Sequence, residues 1–294
     1  MNRLGEILSL LAATSWSVNS LVMEKYGQKL TPMATNFARL LLGLLGTTLI
    51  LLFLKNPIIP VDVSSRVWIA LLISGLIGFA IGDTFLVAAI KSIGARVTFL
   101  IYSLSPVLAG ILGYFVFGEK MSYMAILGTA IIILGVIIVV LKSEGKSVKL
   151  NYSLKGVIDA SVATLGQSFG VILSKYGVSN LDAFSATQIR LIGGFLGILA
   201  IMIIKNLWSE LKPLRNDRQS QLVSLSTGTL GTVIGVALSM QALKYTQAAI
   251  ASVLMATMPV IIIIISIVFL KEKIKPREII GAILTVIGIA ILFI

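Results

Sequence analysis

Cysteine and histidine are both absent from the 294 residues, and only 12 acidic side chains stand against 24 basic ones. A chain without them has no disulfide framework, no thiolate or imidazole metal site, and no Ser-His-Asp or Cys-His catalytic arrangement. Charge of either sign is scarce. Charged residues make up 12% of the chain, about half the share of an ordinary soluble domain, whereas 57% are apolar and the mean hydropathy is +1.03. So little polar surface cannot keep a folded chain in water, and the composition is that of an integral membrane protein. The net charge of +12 would suit nucleic acid, but the basic residues lie in short stretches between apolar runs. They read as topology determinants, and no nucleic-acid partner is expected.

Apolar runs long enough to cross a bilayer of roughly 30 Å fall near 5–23, 33–54, 67–90, 96–117, 121–141, 154–173, 184–204, 221–243, 248–270 and 276–294. The runs are continuous rather than alternating, so helices are the spanning element. The first run opens on a single Arg3, carries Glu6 and shows no small-x-small cleavage site, so it reads as a span and not a leader. The expected fold is an all-α membrane protein of ten transmembrane helices.

An internal repeat divides those helices. With a constant offset of 153, Ala95, Pro106, Glu119-Lys120, Gly128 and Gly135 fall on Ala248, Pro259, Glu272-Lys273, Gly281 and Gly288. Upstream, Gly75, Gly78, Gly82 and Lys91 fall on Gly228, Gly231, Gly235 and Lys244. With slightly smaller offsets Lys25-Tyr26-Gly27 matches Lys175-Tyr176-Gly177, and Arg39-Leu40 matches Arg190-Leu191. Two halves of five helices follow, 1–142 and 151–294. Five is odd, so the second half enters the membrane in the opposite sense, and the halves are inverted repeats whose seam can open to either side.

The loops alternate between two faces. One holds 6 Lys and Arg; the other holds 16, among them Lys25, Lys91, Arg96, Lys142, Lys205, Lys271 and Arg277. The positive-inside rule puts this basic face in the cytoplasm and both termini outside.

The twin segments from Pro106 through Phe117-Gly118-Glu119-Lys120 to Gly128 and Gly135, and from Pro259 through Leu270-Lys271-Glu272-Lys273 to Gly281 and Gly288, carry a resemblance to a known family. With Trp16-x-x-Asn19, Arg39 and Arg190, they make the whole chain similar to the ten-helix, two-repeat EamA-like branch of the drug/metabolite transporter superfamily. The resemblance implies a secondary carrier, often an exporter of amino acids or drugs, with a central cavity between the halves. It also implies cytoplasmic termini, against the loop count.

Ionisable groups deep in a span are functional candidates by default, and here they are Asp83, Arg39 and Arg190. Arg39 and Asp83 lie roughly 10 Å from the basic face on adjacent spans. They form a structural ion pair or, if Asp83 takes up a proton or cation, a coupling site. Val236 stands at the twin position of Asp83, so Arg190 has no acid in its own half. It either holds a substrate carboxylate or phosphate or snorkels to headgroups, the second being the blander expectation. Gly82-Asp83 is reminiscent of the Gly-x-Gly-Asp loop of intramembrane aspartyl proteases, but position 80 is Ala and no Tyr-Asp partner stands on another span to share a proton.

Neutral polar residues add to the candidates: Trp16, Asn19, Tyr102, Gln167 and Gln241, with Ser15, Ser105, Ser168, Thr187 and Gln188. They either line a cavity or make ordinary interhelical hydrogen bonds. Gly78-x-x-x-Gly82 and Gly231-x-x-x-Gly235 read as packing seams. Pro106 and Pro259 read as mid-helix hinges. Glu119-Lys120 and Glu272-Lys273 read as solvated turns, and Glu6 and Asp159 as hydrated carboxylates near span ends.

No Gly-x-x-x-x-Gly-Lys-Ser/Thr loop is present to use ATP, and no cofactor or metal is expected. The expectation is a multi-pass cell-membrane carrier, not an enzyme, that exports small metabolites such as amino acids by alternating access, coupled to protons. Its partners are a small-molecule substrate and membrane lipid. One chain holds both halves and suffices, and a dimer is compatible with this. The competing reading is a non-transporting scaffold or lipid-handling protein.

Overall fold

The structure, a computed structural model, describes residues 3–60, 63–118, 122–144, 147–177, 181–246 and 248–292. The first half runs α1 (Leu4–Tyr26), α2 (Pro32–Phe53), α3 in three consecutive pieces (Ser65–Gly75, Leu76–Gly82, Asp83–Ile93), α4 in two (Ala95–Tyr102, Ser105–Phe117) and α5 (Tyr123–Val140). A hairpin of β1 (Leu141–Glu144) and β2 (Ser147–Leu150) leads to α6 (Leu154–Gly177) and α7 (Ala183–Ile204). There follow α8 in three pieces (Arg218–Thr227, Gly228–Ile234, Gly235–Tyr245), α9 in two (Ala248–Met255, Met258–Val268) and α10 (Pro276–Leu292). Among the described residues nine helices are long and apolar enough to cross a membrane, and α10 runs for 17 residues. The chain is a multi-pass, all-α membrane protein, and the hairpin is a small addition that the apolar pattern does not signal.

Lipid offers no partner for backbone N–H and C=O groups, which forces each apolar run to close its hydrogen bonds internally. Helix starts are set by side chains that take up the first free N–H groups. Thr31 caps α2 by accepting from Ala34 at 3.1 Å, with Pro32 beside it. Ser122 caps α5 through Ala125 at 3.0 Å, and Asp182 caps α7 through Phe184 and Ser185. The hinge assignment changes here. Pro106 and Pro259 each sit in the first turn of a second helical piece, where a missing N–H leaves no bond unmade. The chain breaks before them instead, at Ser103–Leu104 and at Ala256–Thr257. Downstream, Gly118 (φ +69°) caps α4 in the left-handed region, and Lys271 (φ +53°), one repeat on, takes the same conformation three residues past the end of α9.

The middles of α3 and α8 are wider turns of π-helix, Leu76–Gly82 and Gly228–Ile234. The loosened carbonyls are taken up from neighbouring helices. The Asn36 amide donates to Phe79 O at 2.8 Å and to Thr84 Oγ1 at 2.9 Å. In the other half the Ser15 hydroxyl donates to Leu230 O and the Trp16 indole to Gly231 O, both at 2.8 Å.

Glycines let the halves touch backbone to backbone. A Cβ on Gly128 would stand 2.5 Å from Gly288 O, and one on Gly135 would stand 2.8 Å from Gly281 O, which joins α5 to α10. Gly82 and Gly78 on α3 pack against Gly166 and Gly170 on α6; a Cβ on Gly166 would stand 2.8 Å from Gly82 Cα. At the twin contact α8 offers Gly231 and Gly235 to Asn19 and Trp16 on α1.

At the basic face the loops are tied together. Glu272 pairs with both Lys25 and Arg96, and Arg96 Nε reaches Glu278 at 3.0 Å. The Lys91 ammonium donates to the Gly27 and Leu30 carbonyls, and Glu24 accepts from Ala95 N–H at 2.8 Å. Lys29 pairs with Asp217 at 2.7 Å. Glu272 is therefore a cross-link and not a solvated turn, and its two cationic partners, working against burial, hold its carboxyl below the usual range. Glu119-Lys120 lie outside the described residues. Asp159, expected to be hydrated, is 5% exposed with Oδ2 unpartnered.

Candidate functional site

A cavity of about 310 Å³ opens where α1, α2, α3, α4, α6, α7, α8 and α9 converge. It is lined by eight of the expected residues, namely Trp16, Asn19, Arg39, Asp83, Tyr102, Gln167, Thr187 and Arg190. Gln241, Pro106 and Pro259 are not among the lining residues.

Arg39 is the eighth residue of α2 and Arg190 the eighth of α7. The two helices start at opposite ends of the bundle, so the arginines stand at different depths. At 1.5 Å per residue Arg39 lies roughly 10 Å from the basic face, Asp83 roughly 15 Å and Arg190 roughly 20 Å. The three charges form a ladder along the cavity. Arg39 Nη2 meets Asp83 Oδ2 at 3.3 Å, with 12% and 14% of the side chains exposed. One long contact is a weak use of two buried charges, and Arg39 Nε and Nη1 remain without partners.

Arg190 has no such acid. Its guanidinium carbon lies 4.4 Å from the centre of the Phe79 ring, and Nε and Nη2 are buried without a hydrogen-bond partner. It does not snorkel to the membrane surface, because Gly78 and Gly170 leave the space that its Nη2 fills. Around it, the Gln167 amide and the Tyr102 hydroxyl line the cavity without making a hydrogen bond among the described residues, and Asn19 Oδ1 is buried and unpaired. Native proteins rarely leave several polar groups unsatisfied in one place unless that place has a function.

Other polar candidates take the structural role. Ser168 donates to Thr164 O and Ser105 O, Gln188 bonds Thr47 and Thr48, and Ser15 serves the π-turn of α8. Most of the remaining wall is apolar, with Leu40, Leu86, Phe99, Leu191, Met240 and Met258. Phe79 and Met258 were not picked out beforehand, since an aromatic or Met within an apolar run has no distinguishing signal. Thr232 and Ser239, both lining, followed the Gly231 seam and were legible as small polar residues on one span.

Toward the basic face Leu21, Met23, Ile90, Phe99 and Ile262, each at most 8% exposed, pack into an apolar plug beside the cavity. Beyond it lies a second, polar recess lined by Glu24, Lys25, Lys91, Arg96, Tyr152 and Glu278. Burial and the Glu278 carboxylate push the Tyr152 hydroxyl up to about 12, so at neutral pH it stays protonated and donates to Glu278 at 3.0 Å.

The profile of the EamA-like transporter family matches residues 3–141 and again residues 154–294. An uncharacterized transporter of Archaeoglobus fulgidus is 23% identical over 287 residues, 97% of this chain and 96% of that protein. The uncharacterized transporter YyaM of Bacillus subtilis is 23% identical over 133 residues, 45% of this chain and 43% of its own length. A solved crystal structure aligns with a TM-score of 0.68 over 98% of this chain and 95% of that one, at 14% identity, a likeness of fold.

Proposed function

From the premise that the chain belongs to the EamA-like transporter family, we propose that it is a secondary active exporter of small amphipathic metabolites, amino acids among them, working by alternating access. The observation that carries this reading is the cavity: a space of ligand size at the junction of both halves, with a buried acid, two buried arginines and unsatisfied amide and hydroxyl groups.

Alternating access draws support from the seams. Gly128, the twin of Gly281, touches Gly288, and Gly135, the twin of Gly288, touches Gly281. Such exchanged contacts between antiparallel helices are those of a pseudo-twofold axis lying in the membrane plane. The divisions 1–142 and 151–294 are then inverted repeats, with the tenth span in α10. The plug and the ion pairs close the basic face in this conformation, and rocking about the glycine seams opens it.

Asp83 is the coupling residue in this reading. Protonation releases it from Arg39, and deprotonation restores the pair, so proton occupancy and the geometry of the α2–α3 contact are linked. The test is uptake of a leucine–alanine–glutamate mixture into proteoliposomes under an imposed pH gradient. The expected result is flux that rises with the gradient and loses that dependence in Asp83→Asn. Flux indifferent to both would remove the coupling, and no flux of any amino acid would remove that substrate class.

A further inference from the structure

Three charged side chains share the cavity, and their sum is +1. Arg39 and Asp83 pair directly, whereas Arg190 touches no carboxylate among the described residues and feels Asp83 only through space. The Phe79 ring under its guanidinium favours a cation electrostatically but accepts no hydrogen bond in the guanidinium plane, so the N–H groups of that fork are left without acceptors. The repeat sharpens the contrast. Arg39 and Arg190 hold equal places in α2 and α7, yet the position equivalent to Asp83 is Val236, which faces the same cavity.

We infer that Arg190 is the docking point for the carboxylate of an amphipathic monoanion, and that the substrate class is small organic acids with an apolar body. A planar guanidinium fork matches a carboxylate with two parallel hydrogen bonds, and presenting both N–H groups to the cavity draws Nη2 away from Gly78 and Gly170, against which it rests here. One negative charge brings the cavity to neutrality, whereas a phosphate dianion carries it past neutrality to −1. The free Gln167 amide and Tyr102 hydroxyl supply further polar contacts, and Leu40, Phe99 and Met240 receive the apolar body. About 310 Å³ lies at the lower end of ligand-pocket volumes, which limits the ligand to a small acid. Asp83 is already engaged by Arg39, so an α-ammonium group is accommodated but not required. Apolar amino acids present the same carboxylate but are net-neutral zwitterions, so they share the Arg190 contact without neutralising the cavity. The word substrate rests on the carrier reading; the binding site does not.

Trp16 lines the cavity and is one of three tryptophans, so Trp68→Phe/Trp208→Phe leaves it as a single fluorescent reporter. The purified full chain is titrated with 4-methylpentanoate, leucine, leucine amide and isoamyl phosphate. Both carboxylates are expected to shift the Trp16 emission, with the amide and the phosphate weaker by about tenfold or more. In this background Arg190→Gln abolishes that preference, and Arg190→Lys, which keeps charge but not the fork, falls between. Equal binding of amide and acid, tighter binding of the phosphate, no binding of any probe, or undiminished acid binding in a folded Arg190→Gln protein overturns the proposal. If Arg190→Gln does not fold, the wild-type preference between acid and amide decides alone. Proteoliposome flux separates the two readings. A carboxylate bound through Arg190 but never moved overturns the carrier and leaves the site. Transport of uncharged solutes indifferent to Arg190→Lys does the reverse.

Discussion

Arg39 and Asp83 show what a single residue costs inside this bundle. Removing one partner of a buried pair strands the other as an uncompensated charge, a loss of about 3–5 kcal/mol, whereas replacing both by neutral groups costs far less. Arg39→Gln is therefore expected to lower the unfolding free energy in detergent by about 3 kcal/mol, with Asp83→Asn added to it recovering most of the loss; a double-mutant cycle by thermal unfolding measures the coupling. These residues were legible in the sequence because an ionisable group within some twenty apolar neighbours has few reasons to be there. The residue Arg190 stacks on was not legible, since Phe79 is one aromatic within an apolar run. Gln241 failed for a geometric reason. It follows the π-turn of α8, where the extra residue per turn rotates everything downstream relative to a regular helix, so its facing does not follow from α-helical spacing.

Helices carry the next level of specification. Thr31, Ser122, Asp182 and Asp217 precede α2, α5, α7 and α8 as caps, and each is readable as an N-terminal signal that would have fixed span starts more closely than hydropathy does. The breaks in α4 and α9 are marked by Pro106 and Pro259 just beyond them, whereas the π-turns left no such trace, because they arise from contacts with other helices. Gly75 illustrates the packing they depend on: a Cβ there would overlap the Arg190 carbonyl, a backbone group that cannot turn aside. Gly75→Ala is expected to destabilise by about 1–3 kcal/mol, read as a fall in the thermal midpoint. Asp217 sets a pH expectation. Hydrogen bonds from Lys29 and from the Ser220 backbone and hydroxyl hold its carboxyl down to about 2. A depressed carboxyl stabilises above its unfolded value of about 3.9 and loses that contribution as the pH falls toward 2. The difference between wild type and Asp217→Ala should thus be constant from pH 8 to 5 and shrink below about pH 4, measured by unfolding in detergent across that range.

Across the whole molecule, the loop-charge count grouped Lys25, Lys91, Arg96 and Lys271 on one face, and the structure ties loops of that group together. What the count could not reveal is partnership, since Lys25 and Glu272 lie near opposite ends of the chain and nothing local in sequence joins them. Because Glu272 holds both Lys25 and Arg96, Glu272→Gln is expected to loosen the basic face. The absence of native cysteine makes this measurable. A lone Ser239→Cys in the cavity wall, treated with an impermeant thiol reagent from the basic face, should label several-fold faster when Glu272→Gln is added; an unchanged rate would show that the apolar plug alone closes that side.

The twin seams described above are not identical. One sets glycine against glycine, through Gly78, Gly82, Gly166 and Gly170; the other sets Trp16 and Asn19 against Gly231 and Gly235. In the alternating-access reading proposed above, swapping the two packings joins states of unequal free energy, and the cycle lacks the degeneracy that two identical halves would impose. On that reading, a protein left in a bilayer with no gradient and no solute dwells on one side of its cycle, and that built-in tilt sets how much driving force the return stroke requires.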